Sequence, residues 1–187
     1  EFKTSKFFLE ILDRFLYDIP EQWIEFDDIY YEGTCVVSKQ TLKNKILGRT
    51  ETPLGIKLEQ LEDYVLELIF GTGKRRGHKA EKNLVKQKIQ KFIKIDIVEL
   101  YKVLFNNETY FYSLLQNNKP LENIKKIWEY TKENLKTDCL YYDDAIAITY
   151  LYLKIYGNNE YKNIKQVVID EAQDYYPLQY KIFSLLF

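Results

Sequence analysis

A mainly α fold with a minor β part is the class that this 187-residue sequence predicts. Three observations carry it. Apolar residues recur at the three-to-four spacing of an amphipathic helix along most of the chain, whereas β-prone runs are confined to a short region near the start and one near the end. Hydrophobic residues make up 46 % of the chain, enough to offset chain entropy with a core, and charged residues at 29 % supply a solvated surface.

The elements follow in order. Phe8, Leu9, Ile11, Leu12, Phe15 and Leu16 predict a helix over Ser5 to Ile19, stopped by Pro20. Trp23 to Tyr30 and Thr34 to Val37, separated by Glu32-Gly33, predict a hairpin. Ser38 is placed to cap a helix through Leu42 and Ile46 that breaks at Gly48. After a loop marked by Pro53 and Gly55, Leu58, Leu61, Val65, Leu66 and Leu68 predict a second amphipathic helix that Gly71 ends. Lys79 to Phe105 is the longest periodic stretch, and one continuous helix there would project about 40 Å, as an arm. A helix follows Pro120 through Ile124, Ile127 and Trp128, and Asp143-Asp144 open another from Ala145 to Ile155, closed by Gly157. Pro177 suits the first turn of a last helix. Trp23, Trp128, Cys35 and Cys139 are expected in the core, and His78 in an exposed connector.

Several function classes are disfavoured at once. Cys35 and Cys139 lie far apart without a CxxC partner, and the single histidine has no ligand cluster around it, which argues against a disulfide scaffold or a zinc site. No stretch approaches the roughly 20 apolar residues that span a bilayer, and Glu1-Phe2-Lys3-Thr4 is no signal peptide, so no membrane partner and a cytoplasmic location are expected. The chain contains no methionine, and Lys181 to Phe187 is an apolar run without a stop signal; an internal fragment of a longer protein is the expectation.

Net charge of −1 conceals a blockwise pattern. Residues 1–71 carry eight Lys/Arg against fourteen Asp/Glu, residues 72–102 carry ten against three, and residues 103–187 carry nine against eleven. A basic block between acidic ones suits an anionic partner. Two readings of it stand. Lys74, Arg75, Arg76, Lys79 and Lys82, with Lys86, Lys88, Lys91 and Lys94, contact nucleic-acid phosphates, or they form a solvated helix face. Tyr110, Phe111 and Tyr112 likewise stack on bases or belong to the core.

The segment richest in chemistry is Lys165-Gln166-Val167-Val168-Ile169-Asp170-Glu171-Ala172-Gln173-Asp174. A β-branched run followed at once by two acids predicts a strand delivering both carboxylates to the carboxyl edge of a parallel sheet, where open α/β sheets bind ligands. There one acid can hold Mg²⁺ and the next can orient the water that attacks a γ-phosphate. A bare acid pair would more simply solvate a strand end. Here it stands in Asp-Glu-Ala-Gln-Asp, flanked by Leu140-Tyr141-Tyr142-Asp143-Asp144-Ala145 and Leu151-Tyr152-Leu153-Lys154 before it and by Tyr175-Tyr176-Pro177-Leu178-Gln179 after it. In that context it resembles motif II of superfamily 1 helicases of the UvrD/Rep group, and most closely the HelD-type branch, whose members include ATPases that remodel RNA polymerase.

The resemblance implies a role for each residue. Asp170 aligns with the Mg²⁺-binding acid, Glu171 with the catalytic base, and Gln173 with a sensor of the γ-phosphate, while Asp174 supports the loop. The plainer reading of Gln173 and Asp174 as helix-entry residues stays open beside it. Tyr142 and Asp143-Asp144 are read as structural, fixing the helix that packs on the motif strand. In fold terms the resemblance implies a helical insertion of the subdomain 1B type over 1–139, with a short hairpin, attached to an incomplete P-loop NTPase α/β domain, of which 140–187 form part of the RecA-like 1A domain. ATP and Mg²⁺ would serve the parent protein and DNA would be its partner, with RNA polymerase as a second.

Gly71-Thr72-Gly73-Lys74 is not the missing phosphate loop. The GxxxxGK[ST] pattern needs glycine where Leu68 stands and a hydroxyl residue where Arg75 stands. Without that loop this chain is expected to hydrolyse no ATP alone and to hold neither nucleotide nor metal tightly. A non-catalytic module docking on RNA polymerase or nucleic acid is the alternative.

Overall fold

The computed structural model describes residues 2–47, 52–71, 79–115, 123–137, 140–158, 160–161 and 163–187. Contacts group the chain into two compact units, one joining Glu1–Tyr17 to Asp96–Phe187 and the other formed by Asp18–Ile95. This grouping differs from a division at residue 139, because the opening segment packs with helices that follow it by a hundred residues or so. Local sequence carries no trace of such a contact.

In the first unit a 3₁₀ turn, Phe2–Thr4, leads into α1, Lys6–Gln22. Then come α5, Ile97–Asn106; α6, Glu108–Leu115; α7, Ile124–Asn134; α8, Tyr142–Tyr156; and α9, Pro177–Leu186. The remaining helices, α2, Lys39–Leu47; α3, Leu54–Phe70; and α4, Lys79–Ile93, belong to the second unit. Phe8, Ile11, Leu12 and Phe15 of α1 are fully buried, at the spacing that predicted the helix. Phe8 meets Phe105 at 6.4 Å between ring centroids, and Phe105 meets Tyr101 at 5.2 Å and Phe111 at 5.5 Å. These rings form the centre of the core.

Two sequence expectations are corrected here. Pro20 does not stop α1: the helix continues to Gln22, and the Trp23 N–H donates to the Ile19 carbonyl at 3.0 Å. Proline removes one donor near the helix end, where its fixed φ is still helical, so one lost bond is tolerated. Nor does one helix run from Lys79 to Phe105. It ends at Ile93 and a new one starts at Ile97, because the Asp96 carboxylate accepts from the N–H groups of Val98 at 2.9 Å and Glu99 at 3.1 Å. Aspartate is a better N-cap than a helix interior residue. Each piece is too short to make a 40 Å arm.

Polar groups inside this unit are tied across distant elements. Arg14 donates to the Leu114 carbonyl at 2.6 Å, satisfying an acceptor at the end of α6. The Tyr150 hydroxyl donates to Asp13 at 2.5 Å. Lys3, 6 % exposed, places its ammonium 2.7 Å from Asp144 Oδ1 and 3.4 Å from Asp143. The buried Tyr101 hydroxyl donates to the same Asp144 oxygen at 2.7 Å.

Burial followed by the Asp144 charge pushes the Tyr101 phenol far above its ordinary value, and burial with the Asp13 hydrogen bond does the same to Tyr150. The sign is fixed by the raised values. Both phenols keep their protons in the folded state while unfolded tyrosines ionise near pH 10, so this contribution to stability is complete below about pH 10 and declines above it. Urea midpoints measured across the alkaline range should fall more gently for Tyr150→Phe than for the parent sequence; parallel slopes would contradict the assignment.

The second unit opens with the end of α1 and a hairpin of β1, Ile29–Tyr31, and β2, Thr34–Val37. The strands pair antiparallel with Tyr31 opposite Thr34, leaving the two-residue loop Glu32-Gly33. Both loop residues have positive φ, 49° and 79°, as a type I′ turn requires, and Gly33 takes the second position without strain. The β1 strand is shorter than the sequence suggested, and Cys35 is exposed where a core position was expected. A register irregularity between Ile29 and Tyr30 pairs Ile29 with buried Val37 but Tyr30, itself exposed, with Cys35, so Cys35 leaves the buried face.

Ser38 caps α2: its Oγ accepts from the Thr41 N–H at 3.2 Å, while Asp28 accepts from the Lys39 N–H at 2.7 Å. Gly71 ends α3 at φ 70°, with its N–H on the Glu67 carbonyl at 2.8 Å. Against α3 packs α4, and Phe92 of α4 meets Phe26 at 5.3 Å.

Candidate functional site

The acid-bearing segment singled out by sequence lies in 163–187. Among the described residues the only paired strands are β1 and β2, so the strand expected at 167–169 is not formed. Val168 is 83 % exposed. A β-branched run supplies propensity, but a strand is stabilised by ladder hydrogen bonds to a neighbour, and no described residue provides that neighbour.

The acid pair is nonetheless held in a defined turn. Asp170 Oδ1 accepts from the Glu171 N–H at 2.9 Å, and the Glu171 carbonyl accepts from the Asp174 N–H at 2.9 Å, closing the 3₁₀ turn Ala172–Asp174. Glu171 itself stands at φ 48°, ψ 44°, in the left-handed region. That conformation costs a non-glycine residue of order 1 kcal/mol, and such outliers concentrate where a side chain has a task. The Gln173 amide donates to the Glu171 carboxylate. Both Asp170 and Glu171 are exposed.

Helix α9 anchors this turn. The Tyr180 hydroxyl donates to the Ala172 carbonyl, and the Tyr180 ring lies 6.3 Å from Tyr175 and 6.2 Å from Phe183. Gln179 accepts from the Tyr176 N–H at 2.8 Å and donates to the Tyr142 hydroxyl at 3.0 Å, linking the start of α9 to the start of α8. Leu178 and Ile182 bury the inner face of α9, which packs on α8. Sequence reading placed Pro177 correctly at N1 but missed Tyr180 and Gln179 as supports of the turn; the tyrosine-rich composition gave no means to single them out. Asp174 closes the 3₁₀ turn and is not the α9 N-cap, a position held by Tyr176.

Asp144 is read from sequence as fixing the helix that packs on the motif strand; it is fully buried in the first turn of α8 against Lys3 and Tyr101, but the strand is not formed. Lysine in the third position of a chain carries no sequence signal that it will be buried. Phe111 is fully buried and belongs to the core, while Tyr110 and Tyr112 are half-buried, Tyr110 against Phe15 at 6.2 Å and Tyr112 against Phe111 at 6.1 Å between ring centroids. Trp128 is core as expected.

Of the basic candidates, Lys79, Lys82, Lys86, Lys88, Lys91 and Lys94 lie among the described residues, with Lys79, Lys88, Lys91 and Lys94 exposed. Lys74, Arg75, Arg76 and His78 lie outside the described residues, as does Cys139. Lys79 is exposed at the start of α4, but Lys82 turns its ammonium to 5.4 Å from the Phe70 ring centroid, and Lys86 pairs with Glu62 at 2.8 Å. Both are engaged with α3. Burial of its methylene stem against an aromatic ring leaves a lysine less free to follow a phosphate.

Among the described residues no group of three or more His, Cys, Asp or Glu could enclose a metal ion. Two adjacent exposed carboxylates do fit Mg²⁺ in the manner that ion prefers, with one or two protein ligands and the remaining positions left to water and phosphate oxygens.

The family model for the UvrD/REP helicase N-terminal domain matches residues 24–187. The chain belongs to the UvrD/REP helicase family. The matched range contains α8, the acid-bearing turn and α9 together with the whole second unit apart from its first residues. Comparison with curated proteins and with solved structures found no match. Among the described residues of this UvrD/REP helicase domain no helix is long and apolar enough to cross a membrane.

Proposed function

We propose that this chain is the motif II portion of an ATP-dependent superfamily 1 DNA helicase or translocase of the HelD-type branch, working in the cytoplasm. The observation that carries the reading is the turn Asp170-Glu171-Ala172-Gln173-Asp174, with both acids exposed and Glu171 in a strained backbone conformation, inside the family match. In this reading residues 1–139 are the 1B-type insertion and 140–187 part of the RecA-like 1A domain. The unpaired run Val167-Val168-Ile169, with both valines exposed, becomes a central strand when the other strands of a P-loop NTPase sheet are present, and that pairing presents Asp170 and Glu171 at the sheet edge.

Each side chain then has one task. Asp170 would hold Mg²⁺, which when bound neutralises phosphate charge. Glu171 orients and deprotonates the attacking water, and Gln173, which already contacts the Glu171 carboxylate, exchanges that contact for the γ-phosphate. RNA polymerase is proposed as a second macromolecular partner beside DNA. Lys79, with Lys74, Arg75 and Arg76, is kept as a candidate phosphate contact.

The test is nucleotide hydrolysis by the complete gene product, with and without single-stranded DNA and RNA polymerase. DNA-stimulated turnover is expected, while the 187-residue chain alone gives none. A complete product that lacks GxxxxGK[ST] and turns over no nucleotide would favour the non-catalytic docking module instead.

A further inference from the structure

A cavity of about 580 Å³ lies in the first unit, between the Phe2–Thr4 turn, α7 and the start of α8. None of its lining residues belongs to the acid-bearing turn. Its volume falls in the range of small-molecule sites, about 300–1,000 Å³, and far exceeds what a bound water needs.

The walls have a specific chemistry. Tyr130 and Tyr141 stand with ring centroids 6.0 Å apart, tilted by 44°, their hydroxyls 3.3 Å from each other. Tyr130 is 61 % exposed and Tyr141 49 %, so large aromatic surfaces stay open at the cavity, and Phe2 adds a third ring. Flat aromatic surfaces of this kind stack heteroaromatic rings, at about 1–3 kcal/mol per base.

Polar groups of both signs converge between the rings. Lys3 is already balanced by Asp143 and Asp144, so the cavity selects neither a bare anion nor a bare cation. Asp143 presents a partly exposed carboxylate that can accept from a ring N–H, and Thr131 in the wall is fully buried with no hydrogen-bond partner for its hydroxyl. Lys126, exposed on α7 and lining the same cavity, supplies an ammonium suited to a phosphate.

We propose that this cavity is a nucleotide site, in which the base stacks on Tyr130 and Tyr141, Asp143 reads a base N–H, and Lys126 holds the phosphate. The nucleotide comes either free or as one residue of a single strand. The site does not depend on the reading of the 170–174 turn.

Calorimetric titration of the 187-residue chain, without Mg²⁺, with adenosine monophosphate and separately with a short oligodeoxyadenylate distinguishes the sources. Saturable binding of the mononucleotide marks a free-nucleotide site; binding of the oligonucleotide alone marks a strand site. In either case Tyr130→Ala should weaken binding about tenfold or more, Tyr130→Phe should retain most of it, and Lys126→Ala should weaken it with reduced salt dependence. Tyr130 and Lys126 are both exposed, so neither change threatens the core. Absence of binding for both probes, or binding indifferent to Tyr130→Ala, would overturn the assignment whatever becomes of the helicase reading.

Discussion

Asp144→Ala is expected to lower the unfolding free energy by about 3–5 kcal/mol, the usual loss when one member of a buried ion pair is removed. Asp144 is fully buried and receives both the Lys3 ammonium and the Tyr101 hydroxyl on one oxygen, each at 2.7 Å. Deleting the carboxylate leaves the 6 %-exposed Lys3 with only the more distant Asp143 at 3.4 Å, and leaves Tyr101 without an acceptor. Lys3→Met alone should also destabilise, by stranding Asp144. Combining Lys3→Met with Asp144→Leu should recover much of the loss, because the pair together costs desolvation that an apolar replacement avoids. Urea unfolding of the three variants decides the matter, and a loss under about 1 kcal/mol for Asp144→Ala would show the network to be slack.

Glu171→Gln in the complete protein is expected to reduce nucleotide turnover by about 10²–10⁴, the range for removal of a positioned general base, while nucleotide affinity stays close to that of the parent. The amide fills the same space and can still contact Gln173, so the turn is preserved; the lost capacity is that of accepting a proton. Asp170→Asn should instead weaken Mg²⁺-dependent nucleotide binding. Single-turnover hydrolysis and equilibrium binding measured side by side separate these outcomes. Undiminished turnover in Glu171→Gln would remove Glu171 from its proposed role as the general base.

The physical reasons for what could be read in advance are local. Helical spacing of Phe8, Ile11, Leu12 and Phe15 marked the buried stripe of α1, and positive φ at Glu32-Gly33 realised the turn that the dipeptide suggested. The Asp-Glu-Ala-Gln-Asp run could be singled out because, with its flanking residues, it resembles a helicase motif; an acid pair after a β-branched segment reads by itself as a solvated strand end. Errors arose where two local rules competed. Asp96 fits an apolar helical period on either side, yet its carboxylate is worth more as a cap than as a helix interior residue, and the long arm became two helices. Pro20 breaks helices in their interior, but as the third-last residue of α1 it removes a single bond and the helix continues to Gln22.

By itself the sequence determined the helical class, the hairpin turn and the helix caps at Ser38 and Gly71, since each depends on residues within a few positions of one another. Tertiary structure alone decided which polar groups are buried together, as in Lys3, Tyr101 and Asp144. It also turned Lys82 and Lys86 onto α3, opened a cavity beside Tyr130 and Tyr141, and placed Tyr180 against the acid-bearing turn. Those outcomes rest on contacts between residues far apart in the chain, whose energies depend on desolvation and distance and leave no periodic mark in the sequence. The run Val167-Val168-Ile169 stands between the two cases: its composition favours a strand, and pairing with a neighbouring strand decides whether one forms.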